Sequence, residues 1–239
     1  MNVPKWVLVA AISATWGLTS ATAAPAQSTS GPGAIIQGIV DFFRDDDVDD
    51  RGRGAAGGSR PAATSMPYCV VNPGKNETLW SLQPLFVLQQ GETERVEEIA
   101  VRPRGETAIF WSAPVLPAAS DNQQIYAGPP LQPGVEYEWL FYTTFLGEVY
   151  VDFSLSFRVM AEGAERDRIT TELAQLQSEL AATAADESEQ AIAIAAYFFD
   201  NDLLADALQF LFSVNSPSED LLATRETLVE AICSQPLAR

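Results

Sequence analysis

The stretch that most constrains this chain runs from Leu131 to Phe145, Leu-Gln-Pro-Gly-Val-Glu-Tyr-Glu-Trp-Leu-Phe-Tyr-Thr-Thr-Phe. Pro133 fixes its own φ and Gly134 accepts a positive φ at no steric cost, so the pair demands a turn. Beyond it Val135, Tyr137, Trp139 and Phe141 alternate with Glu136, Glu138, Leu140 and Tyr142. That is the period-two pattern of a strand with one buried face. After a break at Gly147, the run Glu148–Met160 repeats the pattern. Val149, Val151, Phe153, Leu155, Phe157 and Val159 are expected on one side, and Tyr150, Asp152, Ser154, Ser156 and Arg158 on the other.

Five earlier runs also read as strands: Tyr68–Asn72, Leu79–Gln89, Arg95–Arg102, Thr107–Ser112 and Gln123–Tyr126. Turn-formers separate them, among them Asn72-Pro-Gly74, Gly91, Pro103-Arg-Gly105 and Gly128-Pro-Pro130. Seven short strands so spaced predict a β-sandwich over residues 67–160. The Leu-x-Pro-Gly-x-x-Tyr spacing of Leu131, Pro133, Gly134 and Tyr137 resembles the corner of immunoglobulin-like and fibronectin type III sandwiches. The resemblance implies that the Tyr137 hydroxyl turns back onto the preceding bend.

From Glu162 the apolar period becomes helical. Ile169, Leu173, Leu176 and Leu180 recur at spacings of four, three and four, and helices over Ser188–Phe199 and Leu203–Val214 follow. Ser216-Pro-Ser-Glu219 reads as a capping box with proline at the first helical position, opening a fourth helix toward Cys233. The expectation is an α+β chain: an immunoglobulin-like antiparallel sandwich, then a small four-helix module over residues 161–236. Ala195, Tyr197, Ala205 and Leu208 give the middle helices the look of a single tetratricopeptide-type hairpin, short of the three repeats such arrays need.

The first 23 residues have the form of a secretory signal: Lys5, the apolar run Trp6–Leu18, and Ala21-Thr-Ala23 as the cleavage site. An uncleaved anchor is the alternative, and the only membrane-spanning attachment the sequence offers. Residues 24–66 read as a disordered acidic and Gly-rich linker. Within it, Ala34–Phe43 forms a short helix with Ile35, Ile36, Ile39, Val40 and Phe43 along one side. That segment either docks on a partner or a membrane surface, packs back on its own domain, or stays largely unfolded. Asp45, Asp47 and Asp49 open like a calcium loop, but Asp50 stands where glycine is needed and Ala56 where glutamate is, so the run is a solvated charge cluster. Loss of Lys5 from the 14 basic residues leaves 13 against 32 acidic ones, a net charge of −19. A surface so acidic repels nucleic acid and anionic lipid.

Arg51-Gly-Arg-Gly-Ala-Ala-Gly-Gly-Ser-Arg60, with Cys69 beyond it, resembles the lead-in of a domain-of-unknown-function family of secreted cyanobacterial proteins. Gly52, Arg53, Gly57, Gly58, Ser59, Arg60 and Cys69 carry that likeness. So do Leu131, Gly134, Tyr137 and Trp139 in the strand, and Asp206, Ala207 and Leu208 in the helical tail. The resemblance implies a fold and a compartment, periplasmic or extracellular, and no activity. It departs from the family after Trp139, where a second cysteine is missing from Thr143–Phe145 and Cys233 is left to take its place. In an oxidising compartment Cys69 and Cys233 either form a bridge or stay as two buried thiols.

Chemistry is limited by what is missing. The chain has no histidine, which removes Ser-His and Cys-His nucleophiles and the usual zinc sites. No phosphate loop or dinucleotide fingerprint is present, so no cofactor or metal is expected. Glu94, Glu97, Glu98, Glu136 and Glu138 are available for two-carboxylate glycoside hydrolysis, but alternating acids on an antiparallel sheet normally form its solvated face. Trp80 and Trp111, if exposed, are candidates for stacking on sugar rings; Trp139 shares the buried face of its strand. The sequence is read as a non-enzymatic, exported binding or scaffold protein of the cell envelope that acts through protein partners. A glycan-binding module and a carboxylate hydrolase are the alternatives.

Overall fold

The computed structural model describes residues 32–44, 68–90, 96–115 and 123–233. The signal segment, the aspartate run and the basic Gly-rich stretch lie outside them. Within them the fold is mixed α+β, in the order α1 (Pro32–Arg44), β1 (Tyr68–Asn72), β2 (Thr78–Leu79), β3 (Leu85–Gln90), β4 (Glu98–Pro103), β5 (Trp111–Pro114), β6 (Gln123–Ile125), β7 (Glu136–Phe145), β8 (Glu148–Val159), α2 (Ala164–Ala182), α3 (Glu187–Asp200), α4 (Leu204–Ser213) and α5 (Glu219–Cys233).

The strands make two sheets, one of order β1-β3-β6 and one of order β2-β8-β7-β4-β5. All pairings are antiparallel except the short β2, which runs parallel to β8. The sheets share an apolar layer in which Phe86 of β3 lies 4.4 Å, ring centre to ring centre, from Trp139 of β7. Tyr68, Leu88, Ile99, Val101, Phe141, Leu155 and Phe157 fill the rest of it. Each large side chain buried there contributes on the order of 1.5–3 kcal/mol.

A second core lies on the far side of the three-stranded sheet. Val71, Leu85 and Val87 turn away from the first layer and pack with Ile194, Phe198, Leu208, Leu211 and Leu228 of the helices. This explains the unbroken apolar run Leu85-Phe-Val-Leu88: successive residues point to opposite faces, and both faces are buried. The molecule is therefore three layers deep, five strands on three strands on helices.

The turn at Pro133-Gly134 forms as its residues require. Gly134 has φ +79°, and the Tyr137 hydroxyl accepts a hydrogen bond from the Gln132 N–H at 2.9 Å. Leu131 and Tyr137 are both buried. Cys69 and Cys233 are joined in a disulfide, with Cα atoms 5.7 Å apart, tying β1 to the end of α5.

Several expectations are corrected. Among the described residues the helices number five, since α1 does not stay apart from the four that follow the strands but packs back on the body: Ile39 and Val40 are buried in the helical core and Phe42 sits edge-on to Phe199. The run Leu79–Gln89 is two strands, so eight strands form. The backbone between them is held instead by α4, which takes the N–H groups of Trp80 and Ser81. The cap of α5 is Ser218 rather than Ser216; the Ser218 hydroxyl accepts from Leu221 N, and its carbonyl accepts the Leu222 N–H.

The faces of β8 also differ from the expectation. Register with β7 runs Leu155↔Trp139, Ser154↔Leu140, Phe153↔Phe141 and then Val151↔Tyr142, leaving Asp152 as an extra residue in a β-bulge. Because side chains alternate with period two, one inserted residue exchanges the two faces beyond it. Leu155, Phe157 and Val159 point into the core as read. Val149 and Val151 fall on the outer face with Ser154, and Tyr150 takes the inner side.

Candidate interaction site

The bulge shapes the hairpin that β7 and β8 make. Beyond it the chain continues to a tight turn at Leu146 and Gly147, both at positive φ, +54° and +87°. Leu146 is 89% exposed, Val149 63% and Val151 43%. Tyr150 also reaches solvent. Four large apolar side chains thus gather at one tip, beyond the two-sheet core, where scattered single ones would need no explanation.

The backbone there is equally exposed. β2 reaches β8 only at its far end, where Arg158 N–H donates to Glu77 O and Asn76 N–H to Ser156 O. Among the described residues no strand pairs with that edge of β8 from Glu148 to Leu155. β4 begins at Glu98, opposite Tyr142, so the last residues of β7 also run past their neighbour.

Charge divides the outer face of the five-stranded sheet in two. Away from the hairpin tip, Arg102 pairs with Glu138 at 2.7 Å, and Glu136 sits between Arg104 and Arg158. The two arginines hold the Glu136 carboxyl below the usual carboxylate range, the Arg104 hydrogen bond first among the causes. At the tip the acids Glu97, Glu98 and Glu148 have no arginine or lysine partner among the described residues, and residues 139–157 contain neither base. Glu97 accepts only a hydroxyl, that of Thr144 at 2.7 Å.

The other candidate residues are placed elsewhere. Trp111 is half-buried, with its ring against Phe86 and Tyr126. Trp80 is half-buried too, packed by Phe198 and the Arg166 guanidinium. Trp139 is fully buried. Leu131, Pro133, Gly134 and Tyr137 make the corner, and Cys69 and Cys233 the bridge. Glu136 and Glu138 are engaged by arginines; Glu94 and Asp45, Asp47 and Asp49 lie outside the described residues. Among the described residues no three His, Cys, Asp or Glu side chains gather to hold a metal ion. No helix there is long and apolar enough to cross a membrane.

One polar node went unread in the sequence. Asp206, in the first turn of α4, looks like an ordinary acid placed at a helix N-terminus. It is instead fully buried, and its two carboxylate oxygens accept the N–H groups of Trp80 (2.6 Å) and Ser81 (2.8 Å). Buried Arg166 of α2 grips the same segment, donating to Trp80 O (2.7 Å) and Met160 O (3.2 Å). Gln209 completes the clamp by accepting from Leu85 N. Burial pushes the Asp206 carboxyl up to about 7, against the pull of the two N–H groups and Arg166. Half-buried Glu77, folded over Gly74, is raised for the same first reason. These groups are occupied by backbone N–H and C=O groups, and Asp206, Arg166 and Gln209 join helices to sheets.

No family model matches the chain, and no curated protein matches it at a significant level.

Proposed function

We propose that this chain is an exported, non-catalytic binding protein of the cell envelope that works through protein–protein contacts made at the β7–β8 hairpin. The single observation that carries the reading is the hairpin itself: Leu146, Val149, Tyr150 and Val151 meet water beyond the core they could have joined. An apolar cluster of this kind has a solvation cost that a partner would remove. The disulfide suits an oxidising compartment. The partly packed rings of Trp80 and Trp111 favour protein over glycan as the ligand class.

We read the two sheets as an immunoglobulin-like sandwich. Support comes from the β1-β3-β6 and β2-β8-β7-β4-β5 orders, the parallel β2–β8 pair and the Tyr137 corner. The likeness to secreted cyanobacterial proteins is part of the same proposal.

The test is photo-crosslinking from a probe placed at Leu146 in the full chain, in envelope fractions, beside a glycan array. A discrete crosslinked protein, competed by unlabelled chain, is expected. Glycan binding without a protein crosslink would overturn the reading.

A further inference from the structure

We infer that the open edge of β8, from Val149 to Ser154, takes an extended cationic polypeptide segment as a sixth strand of the five-stranded sheet. The inference rests on the hairpin reading above and names the kind of partner it accepts.

The backbone geometry comes first. Arg158 N and Ser156 O face β2. Successive residues direct their N–H and C=O groups to opposite edges, so Ser154 faces the open edge as well. The bulge shifts this alternation by one residue. On β7, Glu136 O and Tyr142 O both receive N–H groups from the β4 side. Val151, opposite Tyr142, and Val149, opposite Thr144, therefore turn their own backbone groups to the open edge. Val149, Val151 and Ser154 thus present backbone donors and acceptors that no described residue takes. Natural sheets usually blunt such an edge with lysine, proline or a covering segment. This one carries neither lysine nor proline; the bulge at Asp152 bends it but leaves Val149, Val151 and Ser154 facing outward, and adding a strand is a common way for such an edge to bind.

Charge selects among occupants. Beside the open edge β8 carries Glu148, and residues 139–157 contain no base, while the arginines of the sheet among the described residues are spent on Glu136 and Glu138 at the other end. A second copy of the chain would bring another net charge of −18 to meet the first. A strand that alternates basic and apolar residues gains instead, setting apolar groups on the outer face beside Val149 and Val151 and its cations on the opposite face beside Glu148.

The experiment uses the full chain with its disulfide intact. The probe is a fluorescein-labelled peptide of about eight residues that alternates lysine and valine, read by fluorescence anisotropy. Binding is expected to weaken about tenfold or more between ~0.05 M and ~0.5 M salt, and a glutamate–valine peptide is expected not to bind. Val149→Pro removes an N–H that faces no strand, which an edge position tolerates; it is expected to cost about tenfold in affinity. Val149→Thr keeps that N–H and is expected to bind within about threefold of the parent. Circular dichroism and Tm check that both variants fold. Equal binding by Val149→Pro, or no binding by the parent, overturns the inference. So does a dimer that Val149→Pro abolishes, since it gives the edge to a second copy. If Val149→Pro still crosslinks its envelope partner from Leu146, the edge inference fails and the hairpin reading stands. If neither chain crosslinks a protein, both fail.

Discussion

Removing the Asp206 carboxylate should loosen the joint between α4 and the β2–β3 segment, by an amount that depends on pH. In Asp206→Ala the N–H groups of Trp80 and Ser81 lose their acceptors. At about 1–3 kcal/mol for each of the two donors left without a partner, the cost is roughly 2–6 kcal/mol where the carboxyl is protonated in the fold. The carboxyl stands at about 7 in the folded chain, against an ordinary value of 3.8. Between those values the folded state holds a proton that the unfolded state has released. Parent stability therefore falls as pH rises through that window and is level above it. The alanine variant lacks this slope, so the gap between the two narrows from about pH 4 to about pH 7, by at most about 4 kcal/mol. Urea unfolding followed by tryptophan fluorescence, run on both chains across that range, measures the gap. A gap that widens with pH would refute the reasoning, because it would mean that Arg166 and the two N–H groups outweigh burial. A gap below about 0.5 kcal/mol near pH 5 would refute it as well, by showing that water replaces the lost acceptor.

Three further outcomes are expected. Tyr137→Phe deletes the hydroxyl that accepts from Gln132 N and should cost about 1 kcal/mol in urea unfolding, with the sheets intact. Replacing Cys69 and Cys233 together with alanine opens a bridge spanning 164 residues; it should lower unfolding free energy by up to about 5 kcal/mol, read by denaturation with and without reductant. Leu146→Ser at the exposed turn should change Tm little, within about 0.5 kcal/mol of stability, while reducing capture of the partner.

The sequence carried the corner and the β7–β8 pair because each rests on local chemistry, whereas it left the cysteines open between a bridge and two buried thiols. Pro133-Gly134 forces its turn wherever it stands. The bulge at Asp152 was hidden because Val-Tyr-Val-Asp-Phe-Ser keeps an unbroken apolar–polar alternation; only the pairing with β7 shows that one residue is extra. The exposed tip was hidden with it, since Val149 and Val151 read as core. Asp206 was illegible for another reason. Acids are common in first helical turns, and nothing nearby in sequence says that the partners are amides about 125 residues upstream. The docking of α1 likewise depends on α3 and α5, which its own amphipathic pattern does not specify.

Along the apolar parts of β1 and β3 the middle sheet is covered on both sides. Val71, Leu85 and Val87 are roofed by helices while Phe86 and Leu88 lie against the larger sheet. A fragment cut at the visible change from strands to helices would bare an oily underside along β1 and β3 and leave Cys69 without its mate. Sheets and helices are thus obliged to fold and melt together, and whatever pulls on the hairpin tugs on a single welded body.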